Sequence, residues 1–294
     1  MSVQLKLRGH DKDLGGGFMV RRLLPSAPRQ SVGPFLFFDH FGPVTVQPGA
    51  SHDVRPHPHI GLATVSYLFE GAILHRDSLG SVQRIEPGAI NWMTSGRGIV
   101  HSERGPQDLR SQAYVNHGLQ LWAALPQAFE EVAPEFSHTP AQAIPAVSLD
   151  GAEVRVLIGA AFGETSPVRT FSKTIYLDIK LAAGATLALP ALADELAVYA
   201  VDGDLTVDGE PVAAHTLATL TPGVTAQISS SAPTRWVVVG GDALDARRYI
   251  WWNFVSSRKE RIVQASEEWA AQTMGQIDGE TEFIPLPERR FTAG

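Results

Sequence analysis

Apolar and polar residues alternate in short blocks along most of this chain, and glycine or proline separates the blocks. Ala63-Thr64-Val65-Ser66-Tyr67-Leu68-Phe69 has period two and stops at Glu70-Gly71. Ala72-Ile73-Leu74-His75-Arg76-Asp77 follows at once and stops at Ser78-Leu79-Gly80, which predicts a hairpin and the start of a third strand. The turn Glu86-Pro87-Gly88 leads into a strand over 89–93, and another runs over 118–125 until Pro126. Gly15-Gly16-Gly17 precedes a segment that Pro25 ends too early for a phosphate-cradling helix, so it reads as a turn and a strand. The apolar run Pro34 to Gly42 reads as a core strand or plug.

Residues 126–150 carry Pro126, Pro134, Pro140 and Pro145 and read as a linker. Strands then resume over 153–158, 174–181, 196–201 and 235–241. Glu70-Gly71 and Pro87-Gly88 in the first half are echoed by Asp202-Gly203 and Pro222-Gly223 in the second. The expectation is an all-β chain in which one jelly-roll-like barrel is duplicated. The expected domains are 1–135 and 136–294. A single helix is predicted near the end, in the second domain. Ser257-Arg258-Lys259-Glu260 has capping-box spacing, Ile262, Trp269 and Met274 form an apolar stripe, and Gly275 terminates it. An extended tail around Phe283 to Pro287 follows.

Composition narrows the function. The 294 residues are 44% hydrophobic and 19% charged, as in a soluble globular protein, and the formal net charge is -7. Basic residues occur as scattered pairs, which argues against direct binding of nucleic acid. There is no cysteine, so any metal must be held by histidine and carboxylate. The first residues lack an apolar core with a cleavage site and no run suits a membrane span, so a cytoplasmic location is expected, with no membrane association.

Against that background two pairs stand out: His57 with His59, and His101 with Glu103. In an extended strand residues i and i+2 share a face, so two such strands could aim three imidazoles and one carboxylate at one point. That set suits iron, copper, nickel, manganese or zinc rather than calcium or magnesium. Four protein ligands allow either a closed tetrahedral zinc site or an octahedral site with two open positions. In the open case Glu103 could also act as a general base towards a substrate hydroxyl.

Other residues rank lower. His40 and His52 could reach the mouth of such a site, while His75 and His117 sit in strand patterns and read as structural. Asp39 and Glu70 could orient an imidazole, and the second half offers only His215. Ser102 lacks a nucleophile elbow and should point away from its neighbours. Phe37, Phe38, Trp92 and Met93 read as core or as the wall of an aromatic pocket.

At these residues the chain resembles the pirin family of the cupin superfamily. The resemblance rests on Val20-Arg21-Arg22, Pro34 to Asp39, His57-Pro58-His59 through Gly71, His75 to Gly80, Pro87-Gly88, Trp92-Met93-Thr94, Gly96 to Glu103 and Gly118 to Trp122. Trp251 to Ser257 and Ile284 to Glu288 match bacterial members. It implies two cupin barrels face to face, with one non-haem metal in the N-terminal barrel held by His57, His59, His101 and Glu103. Iron(II) is the expected ion, with manganese, nickel, copper, cobalt or zinc as alternatives.

The resemblance also implies function of two kinds. One is a quercetin 2,3-dioxygenase activity, with a flavonol and dioxygen as partners, Glu103 as the base and carbon monoxide released. The other is a non-catalytic, redox-sensitive regulator whose partner is a transcription factor or metabolic enzyme. One position departs from the family pattern: Ala63 stands where an acidic residue is usual, which puts a contact behind the ligands in doubt.

Overall fold

The computed structural model describes residues 2–15, 17–50 and 52–292. Gly16 of the glycine turn lies outside them. Among the described residues the chain is all-β with one α-helix, and it forms two compact units around two seven-stranded and two four-stranded antiparallel sheets.

In one unit the small sheet runs in the order Val54–His59, Ile99–Arg104, Ile73–Asp77, Val82–Ile85. The larger sheet runs Glu135–Thr139, Ile90–Thr94, Leu62–Glu70, Tyr114–Ala124, Phe35–Val46, Met19–Leu24, His10–Asp13. In the other, the small sheet runs Thr186–Leu189, Ala226–Ser229, Leu205–Val207, Glu210–Val212. The larger one runs Val3–Arg8, Thr216–Leu220, Glu195–Ala200, Thr234–Gly241, Thr174–Leu181, Ala152–Ile158, Ala146–Leu149. Strand for strand this is one topology used twice, which is the duplication that the turn spacing suggested.

Several expectations change. Leu62–Glu70 and Ile73–Asp77 form no hairpin. The first pairs with Tyr114–Ala124 and Ile90–Thr94, and the second with Ile99–Arg104 and Val82–Ile85. The turn at Gly71 instead carries the chain from one sheet of the barrel to the other, as closing a sandwich requires. Residues 126–150, read as a linker, also carry two short strands. Glu135–Thr139 extends one large sheet and Ala146–Leu149 the other.

The units are discontinuous: one takes the chain through His10, then Arg21–Phe38 and Gln142–Leu244, and the other takes Asp11–Val20, Asp39–Ala141 and the chain from Asp245. One crossing between them, from Ala141 to Gln142, falls within the proline-rich segment 126–150. The helix Lys259–Ala270 consequently belongs with the strands of the two histidine pairs. Its Ile262, Ala265 and Trp269 form one apolar cluster with Ile60, Val100 and Phe254. Gly61 permits the close approach there: its φ is +69° and a Cβ would stand 2.0 Å from the Val255 carbonyl oxygen.

The expected capping box is absent. Arg258 is the N-cap residue and makes no side-chain cap bond, while the Ser257 N–H and hydroxyl donate to Glu130. The helix ends at Ala270, before Met274 and Gly275. Among the described residues no helix is long and apolar enough to cross a membrane.

Candidate metal centre

Val54–His59 and Ile99–Arg104 are antiparallel neighbours, with His57 opposite His101 and His59 opposite Ile99. That register sets His57, His59 and His101 on one face. Each offers a nitrogen within 4.8 Å of the other two, and all three residues are buried. Ring centroids are 4.3 Å apart for His57 and His101, and 5.0 Å for His57 and His59 and for His59 and His101.

The other ring nitrogens are occupied. His57 Nδ1 donates to the Arg55 carbonyl at 2.8 Å, and His59 Nδ1 to the Asn253 carbonyl at 3.1 Å. A carbonyl only accepts, so both rings are held with the Nε2 lone pair available. Asn253 follows Trp252, whose φ of 55° is left-handed and turns the Tyr249–Trp251 and Phe254–Ser256 hairpin back towards His59. His101 Nε2 is buried with no hydrogen-bond partner. An unpartnered buried imidazole nitrogen beside two others is what a metal ligand looks like before the ion is added.

Three imidazoles make a cupin-type metal site, and their chemistry suits a divalent transition ion. Electrostatics agree, because a ligating imidazole must be neutral. Burial lowers the His57 pKa to about 4 despite its bond to Arg55. Burial and then the neighbouring rings hold His59 and His101 well below the ordinary value.

The Glu103 carboxylate does not lie within that group of nitrogens. Pairing with Val54–His59 shifts register between His101 and Glu103, and Glu103 sits opposite His75 on the other flank. Its Oε1 accepts a long bond of 3.4 Å from Ser66 Oγ, whose better partner is Gln120 at 2.8 Å. The residue is only half-buried overall, yet desolvation of its carboxyl raises the pKa, offset in part by His75 and Ser66.

The lower-ranked residues fall out differently. His40 and His117 bond each other through their Nε2 atoms at 2.8 Å, and His52 stacks on Phe18. Glu70 is exposed, and Asp39 is buried outside the three-nitrogen group. Ser102 donates to Glu280, facing away from its two neighbours. Phe37 and Phe38 are buried, Phe37 against the Arg22 guanidinium and Phe38 edge-on to Tyr199. Met93 is opposite Thr64, while Trp92 bonds Thr94 on its own strand.

Ala63 is fully buried and lies one residue out of phase with Thr64 and Ser66. Since Ser66 faces Glu103, a side chain at 63 points to the opposite face. Three residues that matter were not singled out: Trp122, edge-on to His59 at 5.0 Å, Phe136, stacked on His75 at 4.2 Å, and Asn253. His75, read as structural, approaches His101 instead, with Nδ1 to Nδ1 at 3.4 Å.

In the second barrel the topologically equivalent pairs are Leu187 opposite Ile228 and Leu189 opposite Ala226. Leu187, Leu189 and Ile228 thus stand where His57, His59 and His101 stand in the first, and all three are buried in an apolar core. Hydrocarbon side chains offer an ion no lone pair.

Comparison with known proteins agrees with this geometry. Residues 17–123 match the family model described as Pirin, and 176–275 the one described as Pirin C-terminal cupin domain. A pirin-like protein of Caulobacter vibrioides is 44% identical over 97% of this chain and 100% of its own length. A putative quercetin 2,3-dioxygenase of Pseudomonas aeruginosa is 38% identical over 87% of this chain and 80% of its own. The crystal structure of a quercetin 2,3-dioxygenase from Acinetobacter baumannii superposes with a TM-score of 0.91 at 32% identity, covering 99% of this chain and 97% of that one. With two cupin barrels, three convergent imidazoles and both family models matched, the chain belongs to the pirin family.

Proposed function

We propose that this protein is a metal-dependent dioxygenase that opens the heterocycle of a flavonol such as quercetin. His57, His59 and His101 hold one divalent transition metal, iron(II) foremost, and Glu103 is the fourth donor and the base. The observation that carries the proposal is the three-imidazole group with a desolvated carboxylate two residues from His101. A bound ion of this kind supplies chelation of an anionic oxygen pair and a place for dioxygen.

The protein's own part is proton handling and orientation. Burial that raises the Glu103 pKa makes the carboxylate a stronger base for the flavonol 3-hydroxyl proton. The Ser66 bond at 3.4 Å is at the outer limit of a hydrogen bond and holds that carboxylate loosely. Ser66 and Gln120 together offer polar contacts beside it for the substrate's oxygen atoms. In the overall reaction the two carbon–carbon bonds of C3 break, that carbon leaves with its own oxygen as carbon monoxide, both atoms of dioxygen enter the ester product, and the proton taken by Glu103 returns to that product. The named activities of the relatives from Pseudomonas aeruginosa and Acinetobacter baumannii support this choice of substrate.

The test is oxygen uptake and carbon monoxide release from quercetin by anaerobically iron-loaded protein, with Glu103→Gln and His57→Ala beside it. Release by the wild type that falls by about 100-fold or more in Glu103→Gln is expected for a base. Stoichiometric metal with no release under iron, manganese, nickel, copper or cobalt would contradict the dioxygenase. It would favour the regulatory reading, in which a protein partner replaces the flavonol.

A further inference from the structure

His101 is the one histidine of the three with no backbone carbonyl on its Nδ1. Its neighbour there is His75 Nδ1 at 3.4 Å, and the His75 Nε2 on the far side of that ring lies 2.9 Å from Asp77 Oδ2. Asp77 is itself fixed. Its Oδ1 accepts the backbone N–H groups of Leu79 at 2.9 Å and Ser81 at 3.0 Å, so Oδ2 is the oxygen turned to His75. All three side chains are at least nine-tenths buried: His75 is 4%, Asp77 2% and His101 1% exposed. Phe136 stacks on His75 with an interplanar angle of 11° and fixes the plane of the ring.

With His75 as a neutral imidazole, the order of donors along this line follows from elementary valence. A carboxylate oxygen only accepts, so His75 carries its proton on Nε2. Its Nδ1 then carries a lone pair and can only accept, which places the His101 proton on Nδ1. The His101 Nε2 lone pair is thereby directed into the group with His57 and His59, where that nitrogen is buried without a partner.

We propose that Asp77 and His75 are positioning residues that lock His101 in its metal-competent tautomer, Asp77 acting only through His75. The inference rests on the reading of the three histidines as a metal site, but not on any catalysed reaction.

Asp77→Asn tests it with little disturbance to the turn. The amide oxygen still accepts from Leu79 and Ser81, so the amide nitrogen must face His75 as a donor. The order then reverses: His75 becomes protonated on Nδ1, donates to His101 Nδ1, and moves the His101 proton onto Nε2, against the metal. Nitrogen-15 NMR of labelled histidines reads each tautomer directly in protein without added metal. We expect Nδ1–H for His101 in the wild type and a shift to Nε2–H in Asp77→Asn.

Cobalt(II) binding, followed by absorption of the ion and by calorimetry, gives the second readout. Asp77→Asn should weaken it by roughly 10–100-fold, as other changes behind metal ligands do. His75→Phe removes the relay, so adding Asp77→Asn to it should cost no further affinity, whereas a merely structural role for Asp77 would add in full. Wild-type His101 protonated on Nε2, or Asp77→Asn costs that add fully to those of His75→Phe, would overturn the inference. If Asp77→Asn does not fold, the wild-type tautomer alone decides it. Wild-type protein with the predicted tautomer that fails to bind cobalt would instead overturn the metal reading beneath it.

Discussion

Ser102 Oγ donates a 2.6 Å hydrogen bond to Glu280 Oε1 from a fully buried position on the reverse side of the strand that carries His101 and Glu103. Arg104 pairs with Glu280 and Glu282, and Arg76 donates to the Asp278 carbonyl. The Ile284 N–H donates to the Pro56 carbonyl at 2.8 Å, which ties the tail to the strand of His57 and His59 as the Ser102 contact ties it to the strand of His101. The extended tail therefore straps both histidine-bearing strands from the face opposite Ser102's neighbours.

Glu280→Ala should accordingly destabilise the protein by about 1–3 kcal/mol, because it strands a buried hydroxyl. Urea unfolding measures this. Ser102→Ala in the same background should cost little more, since the two residues act as one unit, and fully additive costs would contradict the strap.

The helix Lys259–Ala270 makes a second prediction. Ile262 is fully buried among Ile60 and Val100, which flank His59 and His101 in sequence. Ile262→Ala should cost about 2–5 kcal/mol by the same unfolding measurement. A loss below about 1 kcal/mol would mean that the helix contributes little to the barrel that carries the histidines.

These two contacts show what the sequence could and could not reveal. The pairs His57/His59 and His101/Glu103 were legible because period two puts i and i+2 on one face whatever the strand's neighbours are. Strand partners were not legible, since alternation fixes faces and leaves pairing open. The hairpin expected after Leu62–Glu70 failed for that reason, and the approach of His75 to His101 was hidden because it depends on pairing between Ile73–Asp77 and Ile99–Arg104. Asn253 lies 194 positions from the His59 it orients, beyond any local pattern. The capping box failed because a tertiary partner, buried Glu130, takes the Ser257 hydroxyl.

Acid should destabilise the metal-free protein. His57 has a folded pKa of about 4, and those of His59 and His101 are lowered too, against an ordinary value of 6.5. Between those limits the unfolded chain binds more protons, so stability is full above about pH 6.5 and falls as pH drops towards 4. Each such group adds a slope of up to about 1.4 kcal/mol per pH unit. Urea unfolding of stripped protein at several pH values should show it, and His57→Asn should flatten it. A variant with the wild-type slope would contradict the assignment of a buried neutral ring.

Ala63→Glu addresses the departure from the family pattern. A side chain at 63 points away from Ser66 and Glu103, so cobalt(II) affinity should stay within about twofold while stability falls by about 1–3 kcal/mol for an unpaired buried polar group. Clearly tighter binding in a folded variant would contradict the orientation given to Ala63.

The metal centre itself is tested most directly by anomalous diffraction from crystals of the full chain soaked in cobalt(II), collected at the cobalt edge. The account predicts one strong peak per chain, within bonding distance of the Nε2 atoms of His57, His59 and His101, and none in the barrel of Leu187, Leu189 and Ile228. A peak elsewhere, or no peak at the three imidazoles in protein that binds cobalt in solution, would contradict it.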